Sequence, residues 1–253
     1  MLRTFAGGSL FGTRSGAGAP KVLALHGWSR THRDFDAVLR PVEGAELAAV
    51  AVDLPGFGAT PPPIEPWGSV QYAACLDPLL EEMAAPVVVL AHSFGGRVAL
   101  QLAATRPDAV AALVLCGVPL LRLSPPRRPS FAYRSVRAAH RAGLVSDERM
   151  ERARRRHGSA DYAAASGVMR RIHGCVVAES YEEQLDAIEA PVTLVWGDDD
   201  AVVPLGVARA ALDRLRDARS PRAELLVLPG AGHLVPLTAP GALREAVERY
   251  LAR

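Results

Sequence analysis

Short apolar runs recur along this chain and are separated by stretches with helical spacing. The runs are rich in valine, leucine and alanine, and they lie at residues 22–25, 47–52, 87–91, 110–116, 192–196 and 223–228. Runs that are apolar on both faces are typical of buried strands in a parallel sheet. The spacing of apolar residues predicts helices at 70–83, 97–105, 205–216 and 240–251, and residues 2–13 resemble a weak strand pair. This alternation predicts an α/β fold with a mostly parallel sheet.

The alternation is interrupted between about residues 118 and 183. This segment opens with several prolines, is rich in arginine and contains no convincing strand, so we expect several helices there. The simplest organisation is one sheet domain, residues 1–118 and 184–253, with a helical insertion at 119–183. A chain of 253 residues that is 49% hydrophobic is long enough and apolar enough to bury one large core.

Charge and cysteine content exclude several classes of protein. The net charge of +2 argues against a dedicated nucleic-acid binder. Cys75, Cys116 and Cys175 are far apart and odd in number, which indicates neither a disulfide framework nor a zinc site. The N-terminal residues lack an apolar signal region, and no run of about 18 apolar residues occurs. We therefore expect a soluble cytoplasmic protein without metal, cofactor, membrane or nucleic-acid partner.

Ser93 is the first candidate for chemistry, because it follows a buried strand and precedes a helix. The sequence Ala91-His-Ser-Phe-Gly-Gly96 resembles the G-x-S-x-G turn, in which the serine hydroxyl projects above the sheet. Ala91 stands where the first glycine of that motif belongs. The alternative is an ordinary serine N-cap, which is common at the start of a helix.

A serine hydroxyl needs a base, and the base needs an orienting acid. Three aspartates, Asp198, Asp199 and Asp200, follow the predicted strand at 192–196, and His233 follows the strand at 223–228. Carboxyl ends of parallel strands meet at one edge of a sheet, where ligands bind. The order serine, aspartate, histidine is the one expected of α/β-hydrolases.

The chain resembles the α/β-hydrolase fold superfamily over nearly its whole length. The resemblance rests on these segments: His26-Gly27-Trp28, Asp53-Leu-Pro-Gly-Phe-Gly58, His92-Ser-Phe-Gly-Gly96, Gly197-Asp-Asp-Asp200 with Pro204, and Gly232-His233. It implies an eight-stranded, mostly parallel sheet flanked by helices, with the insertion at 119–183 forming a helical cap after strand six. It also favours Asp200 as the acid, because relatives share a G-x-x-D-x-x-x-P pattern.

The resemblance further implies roles for residues around the serine. The backbone N–H groups of Trp28 and Phe94 would form the oxyanion hole. Within the substrate pocket we expect side chains from the core and from the cap, namely Trp28, His26, Phe131, Tyr133 and Tyr162. Plain core packing is the alternative for Trp28.

These features predict a serine hydrolase that cleaves a small carboxylic ester or thioester through an acyl-enzyme. The protein would act on a small-molecule substrate as a monomer or homodimer. One alternative is hydrolysis of a C–C bond in a diketone by the same triad. Another, from a different class, is a non-catalytic protein that binds a small molecule in an α/β-hydrolase-like pocket.

The arginines of the insertion allow two interpretations. They could attract an acidic or phosphorylated substrate. They could equally be solvated helix faces in a protein that uses arginine almost to the exclusion of lysine, and charge runs usually have that role.

Overall fold

One eight-stranded sheet forms the centre of the part of the chain that the structure describes. The computed structural model describes residues 1–41, 47–83, 86–123, 130–157, 159–218, 220 and 222–252. The strands are β1 Arg3–Phe5, β2 Leu10–Ser15, β3 Val22–Leu25, β4 Ala49–Asp53, β5 Val87–His92, β6 Val110–Cys116, β7 Val192–Gly197 and β8 Glu224–Leu228. Their order is β1-β2-β4-β3-β5-β6-β7-β8, with β2 antiparallel to both of its neighbours and the remaining pairs parallel.

Helices cover both faces of this sheet. They are α1 Ser69–Ala74, α2 Asp77–Glu82, α3 Phe94–Thr105, α4 Phe131–Arg141, α5 Asp147–His157, α6 Ala160–Ala164, α7 Gly167–Ala178, α8 Glu182–Ala187, α9 Leu205–Asp217, α10 Val235–Thr238 and α11 Pro240–Leu251. Side chains of a strand alternate between faces, so Leu23 and Leu25 join the core beneath α3 while Val22 and Ala24 join the core beneath α11. Strands buried on both faces explain the continuous apolar runs.

The predicted helix at 70–83 is wrong in one respect, because the structure has two helices there. α1 ends at Ala74 and α2 begins at Asp77, with Pro78 in its first turn. Proline has no N–H to donate to the carbonyl four residues earlier, and its ring clashes with that carbonyl, so a single continuous helix is disfavoured.

The insertion between β6 and β7 is helical in its described residues. α4 to α8 follow one another there, and residues 124–129, which include three of the prolines noted in the sequence, lie outside the described residues. The helices differ in how they pack: α7 buries Ile172 and Val176 in the core, whereas α4 has no buried residue. α7 therefore packs on the sheet domain, as does α8, which buries Leu185 in the same core.

None of the helices in the described residues is both long enough and apolar enough to cross a lipid bilayer.

Candidate active site

Ser93 lies in a strained turn between β5 and α3. Its backbone angles are φ 48° and ψ −110°, and residues other than glycine rarely adopt a positive φ. Its N–H donates to the carbonyl of Cys116 at 2.9 Å, which ties the turn to the end of β6. The Ser93 side chain makes no capping hydrogen bond to α3, so it does not act as an ordinary N-cap. Strain of this kind is typical of a serine presented for chemistry.

Small residues allow the chain to pack closely around this turn. A Cβ on Gly95 would overlap the carbonyl oxygen of Leu25, and one on Gly96 would overlap the side chain of Val118. Ala91, in place of the first glycine of the motif, is completely buried within β5. The turn is therefore made with alanine at that position, whereas Gly95 cannot accept a side chain without a backbone shift.

Buried Asp200 and partly buried His233 form a pair in the loops after β7 and β8. The carboxylate of Asp200 accepts a hydrogen bond from Nδ1 of His233 at 2.8 Å and accepts the N–H groups of Val202 and Val203, each also at 2.8 Å. Burial opposes ionisation of Asp200, but these hydrogen bonds outweigh it and hold the pKa of the carboxyl below its usual value. In the neutral imidazole this contact places the proton on Nδ1, so Nε2 of His233 is the nitrogen that keeps a free lone pair.

The two neighbouring aspartates do not take this position. Asp198 accepts the N–H of Gly230 at 2.7 Å, which closes the loop after β8, and the side chain of Asp199 is exposed. The structure thus brings Asp200, and neither of the other two candidates, into contact with His233.

His92 connects the serine turn to the loop that carries His233. Its Nε2–H donates to the main-chain carbonyl of His233 at 2.9 Å, and the two ring centroids lie 4.9 Å apart. A Cβ on Gly117 would lie 2.9 Å from the ring of His233, so the turn after β6 also needs a glycine. The ends of β5, β6 and β8 therefore meet around the imidazole of His233.

The backbone N–H groups of Trp28 and Phe94 are both free of protein acceptors in the described residues. Phe94 begins α3, so its N–H precedes the hydrogen-bond ladder of the helix. Trp28 follows Gly27, where a Cβ would lie 3.4 Å from Cβ of Ser93. Both N–H groups therefore lack a protein acceptor in the described residues and belong to segments that adjoin the serine.

A cavity of about 440 Å³ opens beside Ser93. Trp28 and Phe94 line it from the sheet domain, and residues of α6 and α7 line it from the insertion. The Trp28 ring packs edge-to-face against His173 of α7, with centroids 4.9 Å apart. The cavity is therefore formed jointly by the sheet domain and the insertion.

The predicted pocket residues divide into two groups. Trp28 and Tyr162 line the cavity. His26 does not line the cavity. Its side chain is completely buried, and both ring nitrogens are hydrogen-bonded to main-chain groups. Phe131 and Tyr133 belong to α4, none of whose described residues lines the cavity, and Phe131 is 83% exposed.

Four polar residues of the cavity were missed by the sequence analysis, namely Arg97, Ser159, Asp161 and His173. Arg97 lies four residues after Ser93, and side chains with that spacing share one face of a helix, so its position could have been predicted. Ser159, Asp161 and His173 belong to the insertion and carry no motif that marks them.

His26 and His92 are expected to make the fold sensitive to acid. Burial lowers the pKa of each to about 4, from 6.5. Between these values the unfolded chain binds more protons than the folded one, so the free energy of unfolding falls as the pH drops from about 6.5 to 4. We expect a loss of roughly 2–3 kcal/mol for each histidine, measured by urea unfolding across this range.

A His26→Asn variant is the comparison for this measurement. Because it lacks one of the two histidines, its free energy of unfolding should depend less steeply on pH, by the contribution of about one proton. Asp53 and Asp200, whose pKa values are lowered, lose their contribution only below about pH 4 and do not obscure the window. A free energy of unfolding that stays constant between pH 6.5 and 4 would contradict the assignment of neutral, buried histidines.

Comparison with known proteins places this architecture in a family. Residues 22–246 match the model of the alpha/beta hydrolase family. The chain is 30% identical over 230 residues to a pimeloyl-[acyl-carrier protein] methyl ester esterase of Aromatoleum aromaticum, covering 80% of this chain and 88% of that protein. A protein of the same name from Neisseria meningitidis is 30% identical over 246 residues, covering 84% and 85%.

A solved structure shows the same fold. A thermophilic esterase from Thermogutta terrifontis superposes with a TM-score of 0.69 at 21% identity, covering 100% of this chain and 98% of that one. The chain belongs to the alpha/beta hydrolase family, as its motifs predicted, and the predicted fold class is confirmed. Within that family it is a carboxylesterase-like enzyme.

Proposed function

We propose that this protein hydrolyses a small carboxylic ester or thioester, with Ser93 as nucleophile, His233 as base and Asp200 as the acid that orients the base. The observation that carries the proposal is the 2.8 Å hydrogen bond between Asp200 and Nδ1 of His233, beside the strained turn of Ser93. In the neutral imidazole this bond favours the tautomer with the proton on Nδ1, and Nε2 then has the lone pair that a general base requires.

The reaction would proceed in two halves. Nε2 of His233 takes the proton of Ser93 as Oγ attacks the carbonyl carbon, and the N–H groups of Trp28 and Phe94 bind the oxyanion. The intermediate collapses to an acyl-enzyme, and the leaving alcohol or thiol receives the proton from His233. Water, deprotonated by His233, then attacks the acyl carbon and releases the carboxylic acid.

The insertion at residues 119–183 would act as a cap in this reaction. Its helices α6 and α7 line the cavity together with Ser93, which supports a role in shaping the acyl pocket and excluding water. The relatives named pimeloyl-[acyl-carrier protein] methyl ester esterases support methyl esters of short acyl chains as the first substrates to test.

A fluorophosphonate probe is expected to modify Ser93 covalently, because such probes trap activated serine nucleophiles. The modified peptide is identified by mass spectrometry, and hydrolysis of p-nitrophenyl acetate is followed in parallel for a burst equal to the number of active sites. A non-catalytic ligand-binding protein would not be labelled by the probe and would not show a burst. Labelling at another serine would contradict the assignment of Ser93.

A further inference from the structure

Arg97 places a positive charge inside the cavity that contains Ser93. The two residues lie one turn apart at the start of α3, where four residues advance about 6 Å. Both line the cavity, and Arg97 is half-buried. A charge in this position is partly shielded from bulk water and faces the same cavity as Ser93.

The guanidinium of Arg97 is held in place by neutral groups. It donates to the carbonyl of Val176 near the end of α7, and its central carbon lies 5.6 Å from the centroid of the Tyr181 ring. Arginine has five N–H donors, but among the described residues only the carbonyl of Val176 accepts a hydrogen bond from Arg97. These contacts fix the side chain without neutralising its charge.

No carboxylate of the described residues is paired with Arg97. Glu179, close to the end of α7, accepts the N–H of Ser69 at 2.9 Å and the hydroxyl of Tyr181. Asp161 lines the cavity but forms no ion pair with Arg97. Other arginines do have carboxylate partners, namely Arg30, Arg106, Arg154, Arg170, Arg214, Arg244 and Arg249. A half-buried cation that is fixed but unpaired is stabilised by an arriving anion.

We infer that Arg97 binds a carboxylate at the far end of the acyl chain, so that the preferred substrate is a monoester or monothioester of a short dicarboxylic acid. The inference rests on the proposed ester hydrolysis at Ser93. A guanidinium matches a carboxylate through two parallel hydrogen bonds. Trp28, Phe94 and Val176 give the cavity the apolar surface that the intervening methylene groups require.

The test compares pairs of esters that differ only in the terminal charge. Monomethyl esters of the acids from succinic to pimelic are compared with methyl esters of monocarboxylic acids of equal chain length. We expect the wild-type protein to prefer the charged ester by about 10- to 100-fold in kcat/KM at the best chain length. The Arg97→Met variant should lose most of that ratio, and Arg97→Lys should retain part of it.

Arg122 provides the matched control. It donates to the carbonyls of Val177 and Glu179, at the same end of α7, but it is exposed and does not line the cavity. Arg122→Met should therefore leave the ratio unchanged. Because both esters are measured on one preparation, the ratio does not depend on the fraction of folded protein.

Binding to a Ser93→Ala protein separates this inference from the proposed function. Calorimetry with the same ester pairs should show tighter binding of the charged ester, and Arg97→Met in that background should abolish the difference. Selective binding without wild-type turnover would overturn the proposed hydrolysis and support the role of Arg97. A wild-type protein without preference for the charged ester, or equal loss for both esters in Arg97→Met, would overturn the inference and leave the hydrolysis intact.

Discussion

Ser93→Ala is expected to lower kcat for ester hydrolysis by about 10⁵- to 10⁶-fold while the protein stays folded. The substitution removes the oxygen that attacks the carbonyl carbon. It removes no capping hydrogen bond from α3, and alanine inherits the same strained backbone angles, so little stability depends on the hydroxyl. Initial rates on an activated ester give the change in activity, and thermal unfolding gives the change in stability.

Ser29→Ala is the matched control for this substitution. Ser29 also has a positive φ, 56°, but it is exposed and does not line the cavity. Its replacement should leave the rate close to that of the wild-type protein. Turnover by Ser93→Ala at a rate like that of the wild type would end the assignment of Ser93. A similar loss in Ser29→Ala would show that the strained loops, and not the hydroxyl, limit the rate.

The fold could be predicted because the apolar runs have one physical explanation. Strands such as 87–91 are apolar on both faces, which only a sheet covered by helices on each side accommodates. The break between α1 and α2 was missed because the helical spacing was weighed without Pro78, a residue that interrupts helices.

The candidate triad could also be located from the sequence, because each member directly follows a buried strand. Parallel strands carry their carboxyl ends to one edge, so Ser93, Asp200 and His233 approach one another although they are far apart in the chain. Spacing within the motif singled out Asp200, and in the structure it is Asp200 that contacts His233.

The pocket could not be predicted in the same way. The orientation of the insertion helices depends on their contacts with the sheet domain, and an amphipathic pattern does not say which neighbour a face meets. Phe131 was expected in the pocket because it is aromatic, yet α4 leaves it exposed, whereas His173 of α7 packs on Trp28. Arg97 was not predicted, although it lies in the first turn of the helix that follows the serine.

Asp200→Asn is expected to lower kcat by about 10⁴-fold. Asparagine keeps an oxygen for the N–H groups of Val202 and Val203, but its NH₂ group then faces Nδ1 of His233. The imidazole would carry its proton on Nε2 instead, and the lone pair that removes the proton of Ser93 would be lost. The measurement is the steady-state rate on the ester that wild type turns over fastest.

Asp198→Asn and Asp199→Asn separate this effect from a general loss of negative charge in the loop. Asp198 accepts the N–H of Gly230, a bond that asparagine can keep, and Asp199 is exposed, so both variants should retain rates close to the wild type. ¹⁵N NMR of the His233 ring in Asp200→Asn would show the proton on Nε2 if the tautomer has changed. Suppose that Asp198→Asn lost as much activity as Asp200→Asn and that the His233 tautomer were unchanged in Asp200→Asn. That result would show that Asp200 is not the orienting acid.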